Sequence, residues 1–399
     1  MDFYKAEEKL LEKINQTDVE YVSTSDSYGR VLAEDLIAVE NVPMFDRSPL
    51  DGYCFNFEDS LYATKENPAE FDIIEEVPCG SVASKIIGKN QAIKILTGAK
   101  MPEGANAVVK YEDIEVVGNK IKIFEKFSKN ENVILAGEDV KCGTILAKKG
   151  DIVDTGIIGI AISQGIKKLN VYRIIKIGFI STGSELLEID EKYIDGKIYN
   201  SNRYIFKAML DNKNIEFKYY GIAQDDIKSL KDIYGRAVSE CDIVISTGGV
   251  SVGDYDLVDK ALVELGFDIF IDRIDMKPGM ACCFASKENK LVFALSGNPM
   301  SSVTTFYTLC MPAIRKMIGY NEYQNKYFKV KLKNSFYKKI RGLRFLRANV
   351  QIENGEAFAD LNLDQGNIVI KSLINCNAMV KIENSDEAVC GMTFDCMYI

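Results

Sequence analysis

Two loops rich in glycine and hydroxyl residues are the features of this chain that are best suited to chemistry. Residues 246–253 read Ser-Thr-Gly-Gly-Val-Ser-Val-Gly and residues 181–185 read Ser-Thr-Gly-Ser-Glu, and each loop directly follows an apolar run. Glycine lets backbone amides approach an anion, and the amides that open a following helix point toward it. Neither loop has dinucleotide-fingerprint spacing, and Asp254-Tyr255 stand where a P-loop needs Lys followed by Ser or Thr. The loops predict an anion site, with simple packing turns as the open alternative.

Four aspartates lie next to these loops. Asp225 and Asp226 end one apolar run, and Asp254 and Asp256 follow the glycine loop. Carboxylates grouped at strand ends suit Mg²⁺ that is bound together with a phosphate, because Mg²⁺ prefers oxygen ligands. The chain has no histidine, so carboxylates are its natural metal ligands. Helix capping is the open alternative for these aspartates.

Three further polar segments lie at predicted element boundaries. They are Lys277-Pro278-Gly279, Ser296-Gly297-Asn298-Pro299 and Asn200-Ser201-Asn202. Lys277 would place a positive charge near an anion, and Asn298 offers an amide. Ordinary turns and helix caps use the same residue types, so that alternative stays open for all three segments.

The composition excludes several classes of function. With no histidine, the chain has no Ser-His-Asp triad, no Cys-His pair and no imidazole zinc site. A net charge of −9 argues against broad nucleic-acid binding, which needs clustered positive charge. None of the ten cysteines has CxxC spacing, which favours free thiols in a reducing compartment. Residues 1–14 predict an amphipathic helix rather than a signal peptide, and no apolar run reaches the roughly 18 residues of a membrane span. We expect a cytoplasmic protein without membrane contact.

The predicted elements bring the two loops together. From about 174 to 320, buried apolar runs alternate with helical segments, which predicts a doubly wound parallel sheet. Ligands of such sheets bind at the carboxyl ends of the strands, so both loops should line one crevice. The sequence also predicts helices over 4–14 and 24–36, a hairpin at Gly118-Asn119 and a β-rich tail that includes 366–370.

Nine motifs in order resemble the MoeA / gephyrin E-domain family of molybdopterin molybdenumtransferases. They are GRVLAEDL, FDRSPLDGY, ILTGAKMPEGANAVVKYED, AGEDV, STGSEL, GKIYNSNR, STGGVSVGDYD, MKPG and SGNP. The resemblance covers nearly the whole chain and implies an α/β multidomain fold whose pterin-binding domain is MogA/MoaB-like. The implied domains are an elongated helical body (1–36 with 140–173), an inserted β-rich lobe (37–139), a doubly wound molybdopterin-binding domain (174–322) and a C-terminal β barrel (323–399).

The resemblance implies insertion of molybdate into adenylylated molybdopterin, with Mg²⁺ present and AMP released. It also implies a homodimer in which the lobe of one protomer faces the pterin domain of the other. A molybdopterin adenylyltransferase is the expected upstream partner, and recipient molybdoenzymes are candidate downstream partners. A gephyrin-type scaffold without catalysis and a tungstate-inserting enzyme stay open as alternatives. Cleavage of a phosphoanhydride depends on positioning and charge neutralisation, so the lack of histidine is no obstacle.

The family's functional positions carry over to this sequence residue by residue. The implied catalytic residues are Asp225, Asp256, Glu185 and Lys277, of which the three acids are also the implied metal ligands. The implied substrate-binding residues are Gly248, Gly249, Ser251, Thr182, Ser201, Ser296, Asn298, Asp51, Thr97, Asp139 and Arg347. The chain departs from the common pattern at 132–136, where many members have arginines, and at Ser296, where proline is usual. Arg47 stands where asparagine is common and is a candidate to compensate for those arginines.

Overall fold

The N-terminal segment begins with one helix and two short strands. The computed structural model describes residues 1–250, 257–361, 364–385 and 387–399. The first elements are α1 (Phe3–Glu12), β1 (Val19–Ser23) and β2 (Leu36–Ile37). The helix predicted at 24–36 is wrong, because only Thr24–Asp26 forms a short 3₁₀ turn there. Gly29 has a φ of +79°, which breaks a helix, and the amide of Leu32 donates to the carbonyl of Asp151 instead.

A six-stranded sheet forms the lobe that follows. Its strands are β3 (Gly52–Phe55), β4 (Ala69–Val77), β5 (Gln91–Ile95), β6 (Ala107–Lys110), β7 (Ile114–Val117) and β8 (Lys120–Ile123). The order across the sheet is β6-β3-β5-β4-β8-β7. The hairpin predicted at Gly118-Asn119 is confirmed between β7 and β8. Gly52 is required at the start of β3, because a Cβ there would lie 1.9 Å from the carbonyl oxygen of Val109.

The chain then returns to its N-terminal segment. The returning elements are β9 (Ile145–Ala147), α2 (Thr155–Ser163) and β10 (Lys168–Tyr172). β9 pairs with β2, and β10 pairs with β1, so both ends of the first half of the chain share two small sheets. Leu32, Val153 and Val171 are buried in the core between them. This part of the molecule therefore contains strands as well as the helices that were expected.

An α/β unit carries the two candidate loops. Its strands are β11 (Ile175–Thr182), β12 (Leu186–Leu187), β13 (Ile198–Tyr199), β14 (Ile215–Ala223), β15 (Ile243–Thr247), β16 (Asp268–Arg273), β17 (Met276–Lys277), β18 (Ala281–Lys287) and β19 (Lys290–Leu295). Its helices are α3 (Ser201–Met209), α4 (Ile227–Glu240), α5 (Val258–Glu264), α6 (Pro299–Thr305) and α7 (Met311–Ile318), with one π-helical turn between the last two.

The main sheet of this unit confirms the doubly wound prediction. Its order is β14-β11-β15-β19-β18-β16, and the first four strands are parallel. Helices α3 and α6 pack on one face, and α4 and α5 pack on the other. β18 runs antiparallel to both neighbours, so the sheet is not parallel throughout. The reason is the two-residue turn between β18 and β19, which is too short for a crossover connection.

A closed barrel ends the chain. Its strands are β20 (Phe328–Leu332), β21 (Leu343–Glu353), β22 (Glu356–Leu361), β23 (Ala378–Glu383) and β24 (Thr393–Tyr398). The order β21-β22-β20-β24-β23 closes because β23 pairs back onto β21, which confirms the predicted barrel. The strand expected at 366–370 is wrong, because the carbonyl of Asn367 instead accepts the amide of Met300 in α6. Within the described ranges, the helices are all too short or too polar to cross a membrane.

Candidate active site

The carboxyl ends of β11, β15 and β19 meet, as the sequence predicts for the two loops. The hydroxyl of Thr182, the last residue of β11, donates a hydrogen bond to the carbonyl of Thr247 at 3.2 Å. The amide of Gly248 donates to the carbonyl of Leu295 at 2.9 Å. Gly248 has a φ of +99°, and a Cβ there would lie 2.5 Å from the carbonyl oxygen of Thr182. Only glycine therefore lets the two loops approach this closely.

The carboxylates of Glu185 and Asp225 both lie against the turn at 183–185. The Asp225 carboxylate accepts a hydrogen bond from the amide of Ser184 at 3.0 Å. The Glu185 carboxylate lies over Gly183, where a Cβ would come within 2.5 Å of its Oε2. Lys197 donates from its ammonium group to the carbonyl of Ser184. The turn therefore holds two of the three implied metal ligands and a cation that the sequence analysis did not single out.

This turn fits a magnesium ion that is bound with a phosphate. The described residues contain no group of three or more acidic, cysteine or histidine side chains in metal-binding proximity. Two carboxylates are nevertheless sufficient, since Mg²⁺ commonly takes one or two carboxylates together with substrate phosphates. The third implied ligand, Asp256, and the implied phosphate-binding residue Ser251 lie outside the described residues.

A buried polar network supports the start of α3 and the loop after β11. Asn200 accepts hydrogen bonds from the hydroxyl of Ser181 and the amide of Arg203, and its side-chain amide donates to the hydroxyl of Tyr219 at 3.1 Å. Tyr219 donates to Glu188 at 2.6 Å, and the Arg203 guanidinium lies 4.0 Å from the Tyr219 ring centroid. Burial and the hydrogen bond to Glu188 raise the pKa of Tyr219. The helix-cap alternative for Asn200 is therefore confirmed.

We expect Asn200→Ala to lower the free energy of unfolding by about 2 kcal/mol, since it removes a helix cap and leaves the buried Ser181 hydroxyl without its partner. Turnover should fall as well, because Asn200 joins the loop after β11 to the start of α3. Urea denaturation and a turnover assay measure the two effects. Asn200→Ser is the control, since serine keeps a capping oxygen and should recover about 1 kcal/mol. Equal losses in both variants would contradict the capping role.

The segment before α6 lies against the glycine loop. Gly297 approaches Gly248 so closely that its Cβ would lie 3.4 Å from the Gly248 Cα. The side-chain amide of Asn202 donates to the carbonyl of Gly297 at 2.9 Å, while its Oδ1 is buried without a hydrogen-bond partner in the described chain. The sequence singled out Asn202 only as part of the 200–202 segment, for which helix capping was one open alternative. Among the implied site residues, Ser201 is the first residue of α3. The Ser296 hydroxyl accepts a hydrogen bond from the backbone amide of Asn298. The Asn298 side chain makes no capping hydrogen bond to α6.

Two implied cationic residues lie on paired strands, since Lys277 in β17 is opposite Arg344 in β21, the strand that contains Arg347. Lys277 ends β17, and two residues later a Cβ on Gly279 would lie 2.4 Å from the Thr305 hydroxyl of α6. Arg347 in β21 is only 1% exposed and donates to the carbonyl of Gly366 at 3.2 Å, next to the Asn367 that binds α6. Burial lowers the pKa of Arg347. Its Nε and Nη1 have no hydrogen-bond partner among the described residues.

The remaining implied residues lie in the lobe. Asp51 accepts hydrogen bonds from the amide and the hydroxyl of Thr97 at 2.7 and 2.8 Å, which hold the pKa of Asp51 below its ordinary value. Asp139 is exposed, and its amide donates to the carbonyl of Val42. The lobe sheet is separate from the sheet that carries the two loops. The structure therefore places most of the implied residues at the strand ends and in the lobe, with Lys277 and Arg347 on the paired strands β17 and β21.

Comparisons with known proteins identify the class of protein to which this chain belongs. Residues 1–165 match the family "MoeA N-terminal region (domain I and II)", and residues 178–316 match the "Probable molybdopterin binding domain". A solved structure of a molybdopterin biosynthesis MoeA protein from Pyrococcus horikoshii superposes with a TM-score of 0.89 at 28% identity, covering 100% of this chain and 98% of that one. A second MoeA structure from the same organism superposes with a TM-score of 0.83 at 32% identity, covering 100% of both chains. The fold is therefore that of a protein of molybdenum cofactor biosynthesis.

The curated relatives identify the family. A molybdopterin molybdenumtransferase from Staphylococcus aureus is 34% identical over 362 residues, which cover 90% of this chain and 86% of the relative. The protein of the same name from Staphylococcus epidermidis is also 34% identical with the same coverage. The chain belongs to the MoeA family of molybdopterin molybdenumtransferases and is a transferase.

Proposed function

We propose that the chain inserts molybdate into adenylylated molybdopterin, with Mg²⁺ bound at the site and AMP released. The observation that carries the proposal is that the Glu185 and Asp225 carboxylates both lie against the turn at 183–185, beside the glycine loop after β15. Two carboxylates and a phosphate form a ligand set that Mg²⁺ favours. The pyrophosphate of an adenylylated pterin supplies the phosphate.

The strand-end residues bind and orient the pyrophosphate and its metal. The residues assigned to this task are Thr182, Glu185, Ser201, Asp225, Gly248, Gly249, Ser251 and Asp256. The Gly248 amide already donates to the carbonyl of Leu295, so other amides of the glycine loop bind the phosphate oxygens in this proposal, and the carboxylates hold the metal. When bound, Mg²⁺ neutralises charge that develops on the leaving phosphate. Because the bond that breaks is a phosphoanhydride, positioning and charge neutralisation account for the chemistry without a strong base.

The residues around α6 receive the molybdate. Molybdate is a tetrahedral dianion, so its pocket needs positive charge and hydrogen-bond donors. Lys277 and Arg347, which lie on paired strands, supply the charge, while Ser296 and Asn298 supply polar side chains at the start of α6. Tungstate has the same charge and nearly the same size, so the same residues would accept it.

The chain acts as a cytoplasmic homodimer in this proposal. Asp51, Thr97 and Asp139 of one protomer complete the strand-end site of the other. The separation of the lobe sheet from the strand-end sheet supports this arrangement, because a second copy can bring the two groups together. A molybdopterin adenylyltransferase supplies the substrate, and recipient molybdoenzymes take the product.

The test mixes the purified protein with adenylylated molybdopterin, Mg²⁺ and molybdate, and follows AMP release and molybdenum bound to the pterin. We expect AMP release that requires both molybdate and Mg²⁺ and that yields metal-loaded pterin. Substitution of tungstate for molybdate compares the two oxyanions under the same conditions. Tight substrate binding without AMP release with either oxyanion would contradict the proposal and favour a scaffold.

A further inference from the structure

Two exposed cations lie side by side on the lobe. Arg47 and Lys100 are directly opposite each other in an antiparallel bridge. The hydrogen bonds of this bridge join Ser48 to Ala99 at 3.0 Å and Met101 to Asp46 at 2.8 Å, one residue to either side of the pair. Arg47 and Lys100 are therefore a non-hydrogen-bonded pair, the type in which facing side chains approach most closely. Ser48 and Ala99 are buried, so the two cations share the outer face.

The charge of this pair is not neutralised by the lobe itself. Like charges directly opposite each other on a sheet are destabilising. The adjacent carboxylate, Asp46, alternates to the other face, where it accepts the amide of Ala136 at 2.7 Å. The lobe's ion pairs in the described ranges use other lysines, namely Lys94, Lys110 and Lys120. The pair therefore concentrates positive charge on the surface at a cost to the ligand-free fold.

Its surroundings point to a ligand rather than to bulk solvent. The ammonium of Lys100 lies 5.8 Å from the centroid of the Phe45 ring, which is 39% exposed. The Asp51–Thr97 hydrogen bonds lie four residues after Arg47 and three residues before Lys100, on the same two segments. Two adjacent cations beside an exposed ring suit an oxyanion, because each can donate a charge-assisted hydrogen bond to it.

We infer that Arg47 and Lys100 together form a subsite for a tetrahedral oxyanion. The inference rests on the proposed function, which supplies two such groups, the phosphate of the adenylyl moiety and molybdate. The pair adds a positive anchor to the lobe, which otherwise presents the acidic Asp51 and Asp139 to an anionic substrate.

Calorimetric titrations of the full chain with AMP and, separately, with molybdate test the subsite. The two titrations also distinguish which of the two oxyanions the subsite binds. We expect Arg47→Ala and Lys100→Ala each to weaken binding of one of these ligands about tenfold, since each removes a charge-assisted hydrogen bond. The double variant should lose more, and Arg47→Lys should keep most of the affinity. Lys129→Ala, which removes the same charge from an exposed turn of the lobe, should bind as the wild type does.

Thermal unfolding without ligand separates this role from a structural one. If the pair serves an anion, both alanine variants should unfold at the wild-type temperature or higher, because a repulsion has been removed. Lower unfolding temperatures would overturn the inference. So would unchanged affinities in the double variant, or a wild type that binds neither AMP nor molybdate. Failure of the proposed function would appear instead as wild-type protein that binds an oxyanion but releases no AMP from the adenylylated pterin.

Discussion

Asp225→Asn is expected to lower molybdate-dependent AMP release about 100-fold or more, the scale on which loss of one preorganised electrostatic group slows an enzyme. Asparagine is nearly the same shape as aspartate, and its side-chain oxygen can still accept the hydrogen bond from the Ser184 amide. The turn between β11 and β12 should therefore keep its conformation while the site loses one negative charge. Mg²⁺ should bind more weakly in consequence, so the Mg²⁺ concentration for half-maximal rate should rise.

The adjacent Asp226 provides a matched control. Its carboxylate caps α4 by accepting the amide of Ser229 at 2.8 Å. Asparagine caps helices about as well as aspartate, so Asp226→Asn removes the same charge one residue away with little structural cost. We expect it to turn over at close to the wild-type rate. Equal losses in both variants would point to the net charge of the loop, and an unchanged rate in Asp225→Asn would remove Asp225 from the mechanism.

The strand-end part of the site was predictable because it follows from short-range patterns. Apolar runs followed by glycine-rich turns located Thr182 and Gly248 at the ends of buried strands, and the rule for ligands in open sheets placed both loops at one edge. The structure adds a reason for Gly248 that spacing alone cannot give, namely the Thr182 carbonyl oxygen 2.5 Å from its would-be Cβ. Local periodicity therefore gives the position of such a loop, whereas tertiary contacts give its glycine requirement.

Other features depend on contacts between distant parts of the chain. The helix expected at 24–36 does not form. The backbone amide of Leu32 donates its hydrogen bond to the carbonyl of Asp151, 119 residues later in the chain, and not to a carbonyl in the preceding helical turn. The strand expected at 366–370 does not form, because the carbonyl of Asn367 accepts a hydrogen bond from the amide of Met300 in α6. Lys197 and Asn202 occur in the motif GKIYNSNR, but only the structure shows an ammonium at the Ser184 carbonyl and an Asn202 oxygen that has no hydrogen-bond partner among the described residues. Sequence patterns contain no signal for such pairings.

Arg347→Met is expected to raise the free energy of unfolding of the ligand-free protein by about 1–2 kcal/mol and to abolish turnover. The guanidinium is always charged in proteins, and here it is buried with no carboxylate paired to it among the described residues. Methionine fills a similar volume without the desolvation cost of the charge. It leaves the carbonyls of Asp364 and Gly366 without a donor, which offsets part of the gain. Urea denaturation with and without molybdate measures the change.

A stability gain that accompanies a loss of function would explain why a charge is kept at this position. The buried guanidinium then acts as a preorganised counter-ion, so molybdate should stabilise the wild type against urea and leave the stability of Arg347→Met unchanged. Arg344→Met is the control, since Arg344 is in the same strand but only half-buried, with its guanidinium over the Phe336 ring. It should keep the molybdate response. If Arg347→Met instead had a lower free energy of unfolding, the hydrogen bonds from Arg347 to the carbonyls of Asp364 and Gly366 would be stabilising the barrel next to α6. Arg347 would then have a structural role.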